Sequence, residues 1–205
     1  MFVLLSKGGI LVGPIFLCSV VALAIFIERL IHFARLKIRE DAVAAEVAGL
    51  IRQGDYPAAG AAAGRSNSPM GNILTHALEV MGQDRETLET VIAHSMEEEV
   101  RTAARYLSAL ATIGNIAPLL GLLGTVLGMI KAFMVIQEMG GKVNAAVLAG
   151  GIWEAMLTTA LGLCVALPVM VAHGYLNSRL EEHEARLQHG AVHFIKAVGC
   201  RQLEG

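Results

Sequence analysis

The 205-residue sequence is poor in the residue types that mark several common classes of protein. Aromatic residues make up only 5% of the chain, and a single Trp is present. Positive charge is not in excess, since the formal net charge is −2. The charge balance therefore gives no reason to expect a nucleic-acid partner, and no acidic tail indicates a solvating role.

Cysteine is equally scarce, with three residues and no CxxC or Cys/His spacing among them. Cys18 and Cys164 lie inside apolar runs, and Cys200 lies near the C-terminus. The pattern supports neither a disulfide framework nor a metal site. We expect small apolar fillers in the runs, and no metal or cofactor.

What the chain has instead is long apolar runs, and 55% of its residues are hydrophobic. Three runs are long enough to cross the hydrocarbon layer as helices: Ile10–Ile27, Tyr106–Ile130 and Ala155–Ala172. The first run ends in Glu28-Arg29 rather than a small-residue cleavage site, so we interpret it as a retained helix and not a signal peptide. The predicted fold class is an all-α membrane protein with three transmembrane helices.

Lys and Arg residues beside the runs predict the orientation of the chain. They concentrate after the first run, before the second and after the third: Arg29, Arg35, Lys37, Arg39, Arg101, Arg105, Arg179 and Arg186. The opposite ends hold only Lys7 and Lys142, with Lys131 inside the second run. The positive-inside rule then places the N-terminus outside and the C-terminus in the cytoplasm.

The segment between the first two runs shows helical periodicity of its own. One apolar face contains Val43, Val47, Leu50 and Ile51, and another contains Met70, Ile73, Leu74, Ala77, Leu78 and Met81. Residues 54–57 (Gly-Asp-Tyr-Pro) and 65–69 break the pattern, Pro69 is placed to open a helix, and Asp84 is placed to cap the next. We expect that next helix to run unbroken from Arg85 to Val135.

The tail after the third run carries apolar residues among charges, and we expect a helix that packs on the preceding cytoplasmic helix. Its apolar residues are Leu180, Leu187, Phe194, Ile195 and Val198. The domain prediction is accordingly residues 1–36 for the N-terminus and first span, 37–105 for a cytoplasmic helical region, 106–178 for spans two and three, and 179–205 for a cytoplasmic C-terminal helix.

Glu154 is the only Asp, Glu, Lys or Arg between residues 143 and 178. An ionised carboxylate in lipid is costly, so we expect it to face protein or water and to belong to an ion pathway. Two alternatives remain open. Glu154 is an ordinary charge at headgroup level, or it pairs with Lys131.

Three threonines accompany this acid on neighbouring spans. Thr158 and Thr159 lie one turn or slightly more from Glu154, and Thr125 lies midway along the second span. Hydroxyls in membrane helices commonly bond back to their own backbone. The alternative is a polar track beside the acid.

Gly121, Gly124 and Gly128 share one face of the second span. Small residues allow helices to approach closely, within one subunit or between subunits, and we assign Pro118 in the same span to this packing as well. Lys131 lies a few residues from the outer end of that span, where we expect its side chain to reach the headgroups.

Two stretches resemble a known family. Residues 114–130 are Gly-Asn-Ile-Ala-Pro-Leu-Leu-Gly-Leu-Leu-Gly-Thr-Val-Leu-Gly-Met-Ile, and residues 151–163 are Gly-Ile-Trp-Glu-Ala-Met-Leu-Thr-Thr-Ala-Leu-Gly-Leu. Both are similar to the conserved spans of the MotA/TolQ/ExbB proton-channel family. The specific resemblance covers residues 109–168.

The resemblance implies a homopentamer in the bacterial inner membrane that surrounds the helices of an ExbD/TolR-like single-span protein. Inward proton flow would drive mechanical work on a TonB-like transducer. The polar pore residues of the family correspond to Thr125, Glu154 and Thr159, with Thr158 as a neighbour. Lys131 departs from members that carry a neutral or imidazole side chain there.

Three spans favour the ExbB/TolQ branch over the four-span MotA branch, and residues 128–133 lean toward ExbB-like biopolymer transport. A TolQ-like role in envelope maintenance and a passive oligomeric scaffold remain alternatives. An enzyme is not expected, because the sequence offers no nucleophile–base pair or metal cluster. The sequence leaves open the cargo, the receptor and the choice between H⁺ and Na⁺.

Overall fold

A computed structural model describes residues 10–36, 40–138 and 145–202, and over these ranges the regular structure is entirely helical. The predicted all-α class is confirmed. Lys7, Lys37, Arg39 and Lys142, which the orientation prediction uses, and the side chain of Cys200 lie outside the described residues.

Seven helices follow one another along the described chain. They are α1 (Val12–Leu36), α2 (Glu40–Gln53), α3 (Tyr56–Arg65), α4 (Pro69–Glu79), α5 (Arg85–Ala103), α6 (Leu107–Glu138) and α7 (Ala145–Gln202).

Three of these helices are long and apolar enough to cross a membrane, as predicted. The candidate spans lie in α1 (Val12–Arg35), α6 (Leu107–Glu138) and α7 (Leu148–Gly199), with mean hydropathies of 2.2, 2.2 and 2.1. Pro118 and Pro168 lie inside α6 and α7 without ending them. Side chains and water can satisfy the backbone groups that a proline leaves open in a membrane helix.

The chain divides into two compact units. One, here called the membrane unit, comprises Met1–Glu28 and Tyr106–Tyr175, and the other, the core unit, comprises Arg29–Arg105 and Leu176–Gly205. The domain boundaries predicted from the sequence differ from the boundaries of these two units, and the four predicted domains stay a prediction.

The short helices of the core unit begin where the sequence predicts. Pro69 opens α4, and the Ser68 side chain accepts a hydrogen bond from the Gly71 N–H at 3.1 Å. Asp84 caps α5 by accepting a bond from the Thr87 N–H at 2.9 Å. These side chains satisfy N–H groups that the first turn of a helix leaves without partners.

The bond from the Thr87 backbone N–H is the main reason why the pKa of Asp84 lies below its ordinary value. Because the folded-state pKa is lower than the unfolded one, the charged cap stabilises α5 above the unfolded pKa. That contribution is lost as the pH falls through the folded pKa.

The expectation of one unbroken helix from Arg85 to Val135 is wrong. α5 ends at Ala103, and Tyr106 adopts a φ of 70° before α6 begins. Arg29, from α1, donates through Nη1 to the carbonyl oxygens of Thr102 at 3.4 Å and Ala103 at 3.1 Å. In a continuous helix those carbonyls would accept bonds from residues 106 and 107. Here the buried guanidinium donates to both, and the Thr102 carbonyl also accepts a bond from the Arg105 N–H at 3.3 Å.

The core unit is organised around one apolar cluster. Its fully buried residues include Val47 and Ile51 of α2, Ile73 and Leu74 of α4, and Phe194 of α7. The two apolar faces predicted between the first spans and the predicted packing of the tail are therefore confirmed. Ala59, Ala62 and Ala63 of α3 join the same cluster, as do Leu88 and Ile92 of α5.

Replacing Phe194 by Ala is expected to lower the free energy of unfolding by about 3–5 kcal/mol, because it removes a buried aromatic ring and leaves a cavity. Val192 on the same helix is 47% exposed, and its replacement by Ala should cost less than about 1 kcal/mol. Thermal unfolding followed by circular dichroism in detergent compares the two. Equal shifts would contradict this account of the core.

Arg29→Met should destabilise the protein by about 1–3 kcal/mol, because it removes the buried donor to the Ala103 carbonyl. The matched control is Arg35→Met, since Arg35 lies exposed on the same helix. The same unfolding measurement applies. An Arg29→Met protein as stable as the control would show that the guanidinium does not stabilise the end of α5.

Candidate functional site

Within the membrane unit, α6 and α7 pack in antiparallel fashion through their small residues. A Cβ added to Gly121 would lie 3.0 Å from the Cα of Thr159, and one added to Gly128 would lie 3.0 Å from the Cβ of Ala155. A Cβ on Gly124 would overlap the side chain of Thr158. The three predicted glycines thus face α7 of the same chain.

From the sequence, no packing role is predicted for the matching small residues of α7. Gly151, Ala155, Thr158 and Gly162 are spaced by four, three and four residues, so they share one face of the helix. The closest approach to the backbone of the other helix is at Gly162, where an added Cβ would lie 2.6 Å from the Ala117 carbonyl oxygen. The signal that identifies this face is the repeat of small residues at helical spacing.

The close approach brings Glu154 beside Lys131. The Lys131 Nζ donates to Glu154 Oε1 at 3.0 Å, and the side chains are 60% and 26% exposed respectively. Of the alternatives for Glu154, the structure shows the ion pair. The Lys131 ammonium faces this carboxylate, and its expected reach to the headgroups stays a prediction.

The ion pair lines a cavity of about 180 Å³ in the membrane unit. Ile10 and Leu11 border it on the side of α1, and glycine and aliphatic residues of α6 form most of the rest. Its polar lining side chains are Lys131, Glu154 and Thr158. Since a water molecule occupies about 30 Å³ in the liquid, the cavity has room for several.

Thr125 and Thr159 do not line that cavity. Thr125 Oγ1 donates to the Leu122 carbonyl at 2.6 Å, and Thr159 Oγ1 donates across the helix pair to the Gly121 carbonyl at 3.0 Å. Glu154 and Thr159 are five residues apart and so point about 140° away from each other around the α7 axis. The structure places Thr158 beside Glu154 at the cavity, whereas Thr125 and Thr159 lie away from that cavity.

Thr158 is buried and donates to the carbonyl oxygens of Ala155 at 2.7 Å and Glu154 at 3.3 Å. Such bonding back to the backbone is common for hydroxyls in membrane helices, and it describes Thr125 as well. Thr159 differs, because its hydroxyl bonds α6 to α7.

The chemistry available at the cavity is proton or ion binding by one carboxylate with an adjacent ammonium. Among the described residues no group of three or more His, Cys, Asp and Glu side chains is placed to hold a metal ion. Large apolar side chains cover the outer faces of α6 and α7, for example Leu122, Trp153 and Met156, which are 59–65% exposed. A polar pocket therefore lies within an apolar surface.

Comparisons with a family model and with individual proteins all match the same family. The model of the MotA/TolQ/ExbB proton channel family matches residues 65–189. The biopolymer transport protein ExbB of Salmonella typhimurium is 34% identical over 188 residues, covering 87% of this chain and 75% of that protein. A Synechocystis sp. protein described as ExbB-like is 32% identical over 195 residues, covering 94% and 74%.

A shorter match has higher identity. The biopolymer transport protein ExbB of Neisseria gonorrhoeae is 41% identical over 92 residues, covering 45% of this chain and 41% of that protein.

Gly162→Ala is expected to destabilise the α6–α7 pair by about 1–3 kcal/mol, because the new Cβ meets a backbone carbonyl that cannot rotate away. Gly174 on the same helix has open space around its Cβ position, so Gly174→Ala should be neutral or stabilise the protein by up to about 1 kcal/mol. Thermal unfolding in detergent measures both. The reverse order would refute the packing role of Gly162.

Proposed function

Because the chain belongs to the MotA/TolQ/ExbB proton channel family, we propose that it is the inner-membrane subunit which couples proton flow to mechanical work together with an ExbD-type single-span partner. The work acts on a TonB-type transducer for outer-membrane import. The subunit assembles as a homopentamer around its partner and has no catalytic activity of its own.

The observation that carries this proposal is the position of Glu154. It is a carboxylate within a long apolar helix, and it borders a cavity with room for water rather than lying on the outer apolar surface. Ionisable residues inside membrane proteins are retained mostly for ion and proton pathways, because they are costly to bury.

Four polar residues form the proposed proton pathway: Thr125, Glu154, Thr158 and Thr159. Glu154 accepts and releases the proton, and Thr158 lies next to it at the cavity. Thr125 and Thr159 lie on another part of the α6–α7 helix pair, so they contribute to the proton pathway where these helices meet a second subunit or the partner.

Moving one charge through 100 mV supplies about 2.3 kcal/mol, which suffices for a modest conformational step per proton.

The packing residues Pro118, Gly121, Gly124 and Gly128 keep α6 and α7 together as one element inside each subunit. The outer faces of these helices then stay available for neighbouring subunits, the partner and lipid. Large exposed apolar side chains on both helices support such contacts.

An ExbB-type role in transport is favoured over a TolQ-type role, since the relatives described above are named ExbB. The proposed orientation has a periplasmic N-terminus and a cytoplasmic C-terminus, in agreement with the Lys and Arg bias at the helix ends. The core unit, with its own buried cluster, then lies in the cytoplasm.

A passive scaffold is the second candidate, and the core unit favours it. A separate helical core of this kind suits the recruitment of other proteins as well as it suits a motor. Proton flux that depends on the partner separates the two, because a scaffold carries none.

Glu154→Gln is expected to lower partner-dependent proton flux in reconstituted vesicles by about a hundredfold or more, because a neutral amide cannot take part in proton transfer. Glu154→Asp should retain part of the flux, since it keeps the carboxyl group. A pH-sensitive dye inside the vesicles provides the measurement.

Glu138→Gln is the matched control, because this exposed acid lies at the end of α6 and away from the cavity lining. It should leave the flux unchanged. Membrane insertion and oligomer size must be the same in all variants. Full flux through the Glu154→Gln protein would reject the role of this residue, and absence of flux in the unaltered protein would reject the motor.

A further inference from the structure

We propose that Lys131 makes the Glu154 site selective for protons over Na⁺, because its ammonium group occupies the position beside the carboxylate that a metal cation would take. This inference rests on the proposed function, in which ions pass Glu154. It assigns to Lys131 a role as a specificity-determining residue.

The Lys131 ammonium lies directly beside the Glu154 carboxylate. The Lys131 Nζ lies 3.0 Å from Glu154 Oε1, which is the distance of a charge-assisted hydrogen bond. The two residues come from different helices, and the glycine contacts of α6 with α7 fix the distance between those helices. The carboxylate therefore has a cation supplied by the protein itself.

The cavity lining offers few oxygen ligands for a metal cation. Hard cations are held in proteins by several oxygen ligands, mostly carboxylates, carbonyls and water. Among the described residues that line this cavity, the side-chain oxygens are the Glu154 carboxylate and the Thr158 hydroxyl, so a Na⁺ ion would have to bind beside Glu154 and take its other ligands from water and backbone carbonyls. Ile10 and Leu11, just before α1, bring neither a ligand side chain nor a further charge to the cavity.

Electrostatics decides between the two ions. A Na⁺ ion bound at Glu154 would lie close to the fixed ammonium, and like charges at such distances repel strongly outside bulk water. A proton needs no coordination sphere, because it forms a covalent O–H bond with the carboxylate itself.

Protonation of Glu154 needs only a hydronium ion from the water in the cavity. A hydronium ion transfers one proton to Glu154, which leaves a water molecule and a neutral carboxylic acid. The ion pair is thereby lost, and the Lys131 ammonium, 60% exposed, exchanges its bond to the carboxylate for bonds to water. Release of the proton to water restores the pair.

The test compares Na⁺ and proton fluxes in vesicles that contain the full chain and its ExbD-type partner. Lys131→Met keeps a side chain of similar length without the charge, and the ratio of Na⁺ flux to proton flux should rise about tenfold or more when the repulsion is removed. Lys131→Arg retains a cation, and its ratio should stay within about twofold of the original. Radiolabelled Na⁺ and a pH-sensitive dye give the two fluxes.

A ratio that is the same in the Lys131→Met and Lys131→Arg proteins would overturn the inference while leaving the motor intact. Na⁺ flux through the unaltered protein at the level of its proton flux would also overturn it. The proposed function fails instead if the unaltered protein conducts neither ion.

A binding measurement tests the role of Lys131 even if the unaltered protein conducts neither ion. In detergent, without the partner, Na⁺ should raise the unfolding temperature of the Lys131→Met protein relative to choline at equal ionic strength, since a ligand that binds the folded state stabilises it. The unaltered protein and the Lys131→Arg variant should show no such difference. If Na⁺ has no effect on Lys131→Met, the ammonium does not occupy a cation site.

Discussion

The membrane unit depends on the close approach of α6 and α7. At Gly121, Gly128 and Gly162 an added Cβ would meet atoms of the other helix at 2.6–3.0 Å, so no larger residue fits without movement. This contact needs no hydrophobic driving force, which lipid does not supply between helices. It also sets the separation at which a lysine of one helix reaches the glutamate of the other. The ion pair is thus a consequence of the glycines.

The pair in turn constrains what each charge can do. Removing Lys131 takes away the cation beside the Glu154 carboxylate, which is 26% exposed. Lys131 and Glu154 are therefore energetically coupled, and the state of one sets the surroundings of the other. In the proposed pathway, a proton that binds Glu154 breaks the ion pair, and the pair re-forms when the proton leaves. This coupling links an ion-binding event to the position of a side chain on the neighbouring helix.

Much of the fold follows from local sequence, and the parts that do not follow share a cause. The spans, the apolar faces, the helix start at Pro69 and the cap at Asp84 are set by periodicity or by residues within one turn, so the sequence predicts them. The break after Ala103 is different, because residues 104–106 contain no Gly or Pro and the donor that replaces the helical bonds is Arg29, 74 positions away. The pairing of Lys131 with Glu154 is likewise a tertiary contact, as is the bond from Thr159 to α6.

One chain supplies only part of a path for protons. In the part of the chain that the structure describes, the cavity at Glu154 has no second carboxyl or imidazole group among its lining residues. Thr125 and Thr159 lie away from that cavity, and their hydroxyl protons are donated to backbone carbonyls, so each can pass on a proton only after it rotates. In the proposed pathway, a proton released from Glu154 therefore continues through water or through groups of another chain. This requirement is the physical reason why the proposed pathway needs the proposed assembly.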